Sequence, residues 1–213
     1  MSEPLAPPTA PQIDEIAAHL GATLPEGAGS KLRAWHEQMV AWNKQVDLTA
    51  ARTTDELSDL MLADGLLLAT RLPPRVTVVD IGTGAGAPGL ALAIARPDLR
   101  VTLVEPLAKR VAFLRTVLAA IGREDVGLLR MKSDELRTRF DVALARATFP
   151  PSEWLARSRD VVSLPTGSAW VLLAKEPAPD DPDAQNVEDV SYTWPRTGVA
   201  RRAVRYTWEP AAL

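Results

Sequence analysis

The sequence predicts an α/β fold in which a doubly wound, mostly parallel sheet follows a small layer of helices. The chain has 213 residues, enough for one such domain with a modest extension. From Val76 onward, short apolar runs alternate with helical patterns. Strands separated by helices pair in parallel through right-handed crossovers. The first third of the chain, by contrast, shows only helical periodicity.

Three helices are expected in that first third, and each has a start or stop signal. Gly21 ends the first, and Ser30 can cap the second. Thr53 and Glu56 have capping-box spacing before the third. Trp35 belongs to the apolar stripe of the second helix and is expected in the core. The expected helices cover residues 12–22, 31–46 and 57–72.

The remainder of the chain alternates between the two element types. Strands are expected at residues 76–82, 100–106, 126–131, 140–147 and 168–175, and helices at 88–95, 108–122 and 152–162. Residues 176–186 are expected to form an acidic, Pro-rich loop. The two segments that follow, 187–195 and 200–209, alternate between apolar and polar residues and predict a closing hairpin. We therefore expect a disordered arm at residues 1–11, a helical cap at residues 12–72 and an α/β domain at residues 73–213.

Composition excludes several classes of chemistry. The chain has no cysteine, which removes disulfides, thiolate metal sites and cysteine nucleophiles together. His19 and His36 are isolated on helical segments without metal spacing, so no metal site is expected. The N-terminus lacks the order of a signal peptide, and no apolar run approaches the ~20 residues of a membrane helix. A cytoplasmic protein is the expectation.

Charge is distributed unevenly along the chain. The net charge is −3, from 24 Lys and Arg against 27 Asp and Glu. Residues 1–64 hold 4 basic and 10 acidic side chains, whereas residues 96–159 hold 13 basic and 8 acidic ones. A local basic surface attracts phosphates even on an acidic protein. A solvated, Arg-rich surface explains the same numbers, so charge permits RNA binding without demanding it.

The segment "VVDIGTGAGAPGLALA" predicts a nucleotide-binding loop between a strand and a helix. Glycines there let ligand atoms approach the backbone and the N–H groups of the helix. Gly-Lys-Ser/Thr is absent, so the loop is no P-loop. The spacing formally matches the dinucleotide fingerprint. It also matches the motif hh-Asp-h-Gly-x-Gly-x-Gly, which resembles that of S-adenosylmethionine-dependent methyltransferases.

Two residues favour the second alternative. Asp80 precedes the first glycine, where a negative charge suits a cationic sulfonium better than a pyrophosphate. Pro88 removes an N–H inside the dinucleotide fingerprint. Glu105 ends the next strand, where it could bond both ribose hydroxyls, but that acid is shared by both cofactor classes. S-adenosylmethionine is therefore the expected cofactor, and a dinucleotide-dependent oxidoreductase is the rival.

Residue types that the sequence lacks exclude some classes of methyl acceptor. Without cysteine the chain cannot form the covalent adduct that methylation of pyrimidine carbon 5 requires. The Asn-Pro-Pro-Tyr type of motif is replaced by "RATFPP". An acceptor that is nucleophilic without deprotonation fits best, because the region shows no obvious general base. Guanine N7 is such an acceptor, and its methylation needs orientation and a favourable field.

Several stretches carry a more specific resemblance. "MVAWNKQVDLTA", "DIGTGAGAPGLALAIARPDLRVTLVEPLAKRVAFLRTV", "FDVALARA" and "LLAK" resemble the corresponding segments of the bacterial 16S rRNA guanine-N7 methyltransferases, the RsmG or GidB family. The resemblance runs from about residue 31 to residue 175. It implies a Rossmann-like class I methyltransferase sheet with an N-terminal helical cap. It also implies a guanine in the 530-loop region of 16S rRNA as target, and a monomer with the rRNA or the small ribosomal subunit as partner.

The resemblance assigns roles to three groups of residues. The expected cofactor-binding residues are Asp80, Gly82, Thr83, Gly84, Gly86, Glu105, Pro106, Asp134, Glu135 and Arg146. The expected catalytic residues are Arg146 and Lys175. The expected RNA-binding residues are Asn43, Lys109, Arg110 and Lys132, with Thr49 helping Asn43 to dock the cap at the site.

The third predicted helix departs from the family pattern. Leu60 and Met61 stand where the family usually has Arg and His, and Asp64 is retained. This leaves a diverged methyltransferase of the same fold, acting on another RNA or a small molecule, as the main alternative. A catalytically silent RNA-binding module is a further one.

Overall fold

The computed structural model describes residues 4–208. Within that range the α-helices are α1 Ala10–His19, α2 Ala28–Trp42, α3 Thr54–Ala69, α4 Gly89–Ala95, α5 Ala108–Ala120 and α6 Pro151–Val161. The strands are β1 Thr77–Ile81, β2 Arg100–Val104, β3 Gly127–Leu129, β4 Val142–Ala145, β5 Ser168–Leu173, β6 Ala184–Thr193 and β7 Ala200–Trp208. No helix in this part of the chain combines the length and apolar character needed to cross a membrane.

The strands form one sheet in the order β3-β2-β1-β4-β5-β7-β6. Strand β1 pairs in parallel with both β2 and β4, while β7 lies antiparallel between β5 and β6. The predicted doubly wound fold is confirmed. Because the chain moves outward on one side of β1 and returns on the other, a crevice opens where β1 and β4 end, which is where such sheets bind ligands.

The two faces of the sheet pack against different helices. Side chains alternate along a strand, so Val78 joins the core beneath helices α1 to α5, and Val79 joins the core beneath α6. Trp35 of α2 and Leu62 of α3 are fully buried in the first core, together with Leu103 of the sheet. The N-terminal helices therefore share one continuous core with the sheet.

The N-terminal segment lies against this helical layer. Residues 1–3 of the expected arm lie outside the described residues. Thr9 and Gln12 form a capping box at the start of α1, so the helix begins slightly earlier than expected. Leu5 packs against the core, and the Ala6 N–H donates to Thr54 Oγ1 of α3. The division into arm, cap and α/β domain remains a prediction.

The closing hairpin begins earlier than the sequence pattern indicates. Strand β6 starts at Ala184, inside the expected loop, because Ala184 pairs with Trp208 at the far end of β7. The hairpin turn is fixed to α3 by Asp59, whose carboxylate accepts the backbone N–H groups of Arg196 and Thr197. The last two strands thus contact the helical layer as well as the sheet.

Helices α3 and α4 approach each other very closely at Gly65. A Cβ atom built on Gly65 would lie 2.6 Å from the Pro88 carbonyl oxygen and 2.7 Å from the Ala91 Cβ. Both neighbours belong to a packed helix start, so they have little room to move away. The absence of a side chain at Gly65 therefore sets the distance between the helical layer and the glycine-rich segment.

We predict that Gly65→Ala lowers the free energy of unfolding by about 1–3 kcal/mol, because overpacking forces the two helices apart. The matched control is Gly29→Ala in α2, where an added Cβ meets no atom within 4 Å. That substitution should stabilise the protein by about 0.5–1 kcal/mol through helix propensity. Urea unfolding of both variants measures the difference, and equal stabilities would contradict the close contact.

Candidate functional site

The segment between β1 and α4 is a loop that its glycines make possible. Gly82, Gly84 and Gly86 have φ angles of +68°, +61° and +109°, which side-chain-bearing residues rarely adopt. A Cβ on Gly82 would also come within 2.4 Å of the Thr148 side chain. A Cβ on Gly84 would meet its nearest atoms only at 4.0 Å, so that side of the loop is open.

Asp80 holds this loop from behind. Its side chain is fully buried, and Oδ2 accepts the Thr83 hydroxyl at 2.6 Å and the Gly89 N–H at 2.8 Å. Burial raises the pKa of Asp80 to about 6, against the opposing effect of these hydrogen bonds. The other oxygen, Oδ1, has no partner among the described residues. Asp80 thus ties the end of β1 to the start of α4.

Glu105 holds the front of the same loop. The carboxyl group follows directly after β2 and is almost completely buried. Oε2 accepts the Gly84 N–H at 3.0 Å, and Oε1 accepts the Leu107 N–H at 2.8 Å. The Arg110 guanidinium lies 3.9 Å from Oε2. Each oxygen of this carboxylate keeps acceptor capacity for a further donor.

An open cavity of about 540 Å³ lies in front of the loop, and we name it the glycine-loop cavity. Among the residues that line it are Leu48, Thr49, Leu60, Met61, Gly82, Thr83, Gly84, Glu105, Pro106, Arg110, Arg146 and Thr148. A second cavity of about 300 Å³ lies beside it, lined by residues that include Gly82, Pro106, Met131, Lys132, Asp134 and Thr148. Volumes of about 300–1,000 Å³ are typical of cofactor and small-molecule sites.

Most of the predicted cofactor residues therefore meet at one place. Three others lie apart from the cavity surface. Asp80 is buried behind the loop, and a Cβ on Gly86 would lie 3.0 Å from the Trp35 ring. The Glu135 carboxylate accepts the Lys132 N–H within its own turn. Direct contact of any of the ten predicted residues with a cofactor remains a prediction.

The predicted RNA-binding residues occupy different positions. Arg110 and Lys132 line the cavities, whereas the Lys109 side chain is exposed on the first turn of α5. Asn43 caps the end of α2, and its Oδ1 accepts the Leu48 N–H at 3.0 Å. This bond orders the loop that places Leu48 and Thr49 at the glycine-loop cavity. RNA binding by these residues remains a prediction.

Arg146, directly after β4, is held by helix α3. Its guanidinium donates to the Asp64 carboxylate at 3.1 Å and to the Leu60 carbonyl oxygen. Asp64 is itself buried, and its other oxygen accepts the Tyr192 hydroxyl at 2.7 Å and the Trp194 indole N–H at 2.9 Å. Burial, followed by the Asp64 charge, raises the pKa of Tyr192. Asp64 therefore joins α3 to β4 and β6.

A smaller cavity lies on the far side of Arg146, and we name it the strand-end cavity. Its volume is about 190 Å³. Its lining residues include Leu60, Arg146, Ala147, Phe149, Leu172, Glu176, Tyr192, Trp194 and Arg201. Leu60, Arg146 and Ala147 also line the glycine-loop cavity, so the two cavities adjoin at these three residues. The exposed Lys175 follows Ala174, which lines the strand-end cavity.

Several residues of these cavities were missed by the sequence interpretation. Thr148 donates its hydroxyl to the Ile81 carbonyl oxygen at 3.2 Å and fills the space above Gly82. Ala147 has a φ of +53°, an unusual conformation that clusters at functional sites. Both come directly after Arg146 in the chain, where the segment "FDVALARA" indicated a functional position. Tyr192 had none, and Arg201 had only the weak family resemblance of "VARRAVRY", because the hairpin's docking on α3 brings both to the site.

The titratable groups that line the cavities are carboxylates, guanidinium groups, the Lys132 ammonium group and the Tyr192 phenol. The two histidines lie elsewhere, and His36 is buried in α2, where burial lowers its pKa to about 4. Within residues 4–208, no group of three or more His, Cys, Asp or Glu side chains is arranged to hold a metal ion. The arrangement can hold a ligand with hydroxyl and amino donors beside a second ligand that contacts a largely apolar lining.

Comparison with known sequences identifies relatives of this protein. The GidB family profile, described as rRNA small subunit methyltransferase G, matches residues 28–178. The Ribosomal RNA small subunit methyltransferase G of a Nocardioides species is 46% identical over 127 residues, covering 59% of this chain and 50% of that protein. The protein of the same name from Yersinia pseudotuberculosis is 30% identical, covering 84% and 86%. The chain thus spans half of one relative and most of the other.

Solved structures share the fold. The crystal structure of a mutant of MtNAS superposes on this chain with a TM-score of 0.57 at 16% sequence identity. The superposition covers 94% of this chain and 88% of that chain. A putative methyltransferase, yhhF from Escherichia coli, has a TM-score of 0.50 at 14% identity, covering 67% and 80%. At these identities the likeness concerns the fold alone, and it agrees with the predicted Rossmann-like sheet.

We predict that Asp64→Asn lowers the free energy of unfolding by about 2–4 kcal/mol, because it leaves a partly buried guanidinium facing an amide donor. The control is Asp55→Asn, on the same helix, whose ion pair with Arg196 is half exposed. Exposed pairs contribute about 1 kcal/mol or less. Urea unfolding measures both variants, and an Asp64 effect no larger than the control would contradict the proposed link between α3 and the strands.

Proposed function

The chain belongs to the GidB family of rRNA small subunit methyltransferases, and on that basis we propose that it methylates N7 of a guanine in the 530-loop region of 16S rRNA. S-adenosylmethionine is the proposed methyl donor. The observation that carries the proposal is the pair of adjoining cavities, which share Leu60, Arg146 and Ala147 as lining residues. A donor in one cavity and an acceptor in the other would meet where the cavities adjoin, and direct transfer needs that arrangement.

The residues of the glycine-loop cavity fit S-adenosylmethionine. Glu105 retains acceptor capacity for the two ribose hydroxyls, although one backbone N–H already binds each of its oxygens. The open side of Gly84 leaves room for the ligand to approach the backbone. Asp134 and Met131, in the adjoining cavity, would flank the adenine ring. Carboxylates near the loop also suit a cationic ligand better than a pyrophosphate.

The chemistry requires little more than orientation. When bound, S-adenosylmethionine supplies an electrophilic methyl group on a sulfonium. The N7 lone pair lies in the plane of guanine and attacks without losing a proton, so no general base is needed. This agrees with the placement of both histidines away from the cavities. Arg146 is neutralised by Asp64, so its charge opposes the positive charge that develops on guanine only weakly.

Basic residues at the rim would hold the RNA. Arg110 and Lys132 line the cavities. Lys109, next to Arg110 in the chain, and Lys175, next to the strand-end cavity residue Ala174, are exposed. Phosphate contacts of this kind orient a nucleic acid without reading its sequence. The proposed partner is 16S rRNA or the small ribosomal subunit, which would place the protein in the cytoplasm. We propose that the protein acts as a monomer.

One observation favours an acceptor other than 16S rRNA. Leu60 and Met61 line the glycine-loop cavity and are apolar where the family usually has Arg and His. A diverged methyltransferase acting on another RNA or a small molecule is therefore the second candidate.

The decisive test maps N7-methylguanine in the rRNA of the host with and without the gene. We expect one such nucleotide to disappear from the small-subunit rRNA of the deletion strain and to return on complementation. Persistence of every N7-methylguanine after deletion would reject 16S rRNA as the substrate and favour the second candidate.

Glu105→Gln tests the cofactor site separately. We predict that this variant binds S-adenosylhomocysteine about 10- to 100-fold more weakly, because hydrogen bonds to a charged group contribute about 1.5–3 kcal/mol. The control is Glu124→Gln, which removes an exposed carboxylate distant from the cavity. Isothermal titration calorimetry measures both affinities. Unchanged binding by a folded Glu105 variant would show that this carboxylate does not hold the cofactor.

A further inference from the structure

The strand-end cavity has the size and walls of a site for one flat ring system. Its volume of about 190 Å³ lies below the range of about 300–1,000 Å³ that is typical of whole small-molecule sites. Phe149, Leu172, Tyr192 and Trp194 form a largely apolar lining. The space adjoins the glycine-loop cavity across Arg146. On the proposed function, the acceptor base would therefore be seated here.

Glu176 supplies a fixed acceptor at this cavity. Its Oε2 accepts the N–H groups of Ala174 and Lys175, each at 3.0 Å, immediately after the end of β5. Backbone hydrogen bonds, and to a smaller extent the charge of Arg201, hold the pKa of Glu176 below its usual range. The side chain is thus an oriented carboxylate with acceptor sites remaining.

Arg201 supplies donors at the same cavity. Its guanidinium carbon lies 3.8 Å from the centroid of the Trp194 ring, so the charged plane is held on an aromatic face. A guanidinium stacked in this way still presents its N–H groups sideways in a fixed fork. The other charged pair of the cavity, Arg146 and Asp64, is already joined together. Glu176 and Arg201 are therefore the charged groups available to a ligand.

We propose that Glu176 and Arg201 select guanine as the methyl acceptor by binding its Watson–Crick edge. Guanine presents the O6 acceptor beside the N1–H and N2–H₂ donors, whereas adenine presents an amino donor beside the N1 acceptor. A carboxylate next to a guanidinium is complementary to the first arrangement and mismatched to the second. The inference rests on the proposed function and assigns the specificity of its acceptor site.

This mode of binding leaves the reacting atom free. N7 lies on the opposite edge of the ring from N1 and N2, so Glu176 does not compete with the methyl group. In the transfer, the N7 lone pair forms the new N–C bond, and the pair of the broken C–S bond leaves with sulfur. The base gains a positive charge and loses no proton. A carboxylate bound to that base then stabilises the charge as it develops.

The test compares guanosine with inosine at the methylated position of small-subunit rRNA transcripts assembled by ligation. Inosine lacks the N2 amino group and keeps N7, O6 and N1–H. We expect the wild-type kcat/KM to fall about 10-fold or more with inosine, because a good contact to a base edge contributes about 1–3 kcal/mol. Glu176→Gln should react about 10- to 100-fold more slowly with guanosine, through loss of a charge-assisted contact, and should lose most of the preference.

The matched control is Asp180→Asn, which removes one negative charge from an exposed position of the same loop. It should keep the wild-type rate and preference, and S-adenosylhomocysteine binding should be unchanged in both variants. Equal wild-type rates with guanosine and inosine would overturn the inference, as would a Glu176→Gln enzyme that keeps the full preference. A wild-type enzyme that methylates neither RNA, whether as a free transcript or after assembly into small ribosomal subunits, would instead reject the proposed function.

Discussion

The buried carboxylate of Asp64 is the contact on which the arrangement of the site depends. A charge away from water is costly unless it is paired and hydrogen-bonded. Asp64 meets that requirement with Arg146 on one oxygen and with Tyr192 and Trp194 on the other. These donors come from β4 and from the end of β6, while Asp64 lies on α3. The helical layer, the sheet centre and the closing hairpin are therefore held together at one point, and Arg146, which is bound there, lines both cavities.

Two further carboxylates shape the glycine loop from opposite sides. Asp80 binds it from within the core through Thr83 and Gly89, and Glu105 binds it through Gly84. The loop has few side chains of its own to pack, so these bonds fix its path. Thr148 and the Trp35 ring occupy the space that side chains on Gly82 and Gly86 would need. A ligand can then approach a backbone that is already ordered.

Much of the fold followed from local patterns. The alternation after Val76 predicted the strands and helices correctly, because a strand buried on both faces is a continuous apolar run. The start of β6 at Ala184 was missed, since the segment is polar and its pairing with Trp208 is a long-range contact. For the site, Glu105 and Arg146 were expected at the carboxyl edge of the sheet because they end predicted strands, and both line the glycine-loop cavity. Tyr192 and Arg201 were not, because their position depends on where the hairpin docks.

The sequence by itself determined the order of the elements, the glycine loop and the carboxylate that follows β2. These features depend on residue type and spacing within a few turns of chain. Only the tertiary structure decided what Arg146 and Asp64 do, and that Glu176 and Arg201 face one cavity. These groups lie on α3, after β4, after β5 and on β7, which are distant from one another in sequence. Their positions depend on close helix packing, as at Gly65, and on hydrogen bonds between elements, such as that of Arg146 with Asp64. Neither kind of contact leaves a periodic signal in the sequence.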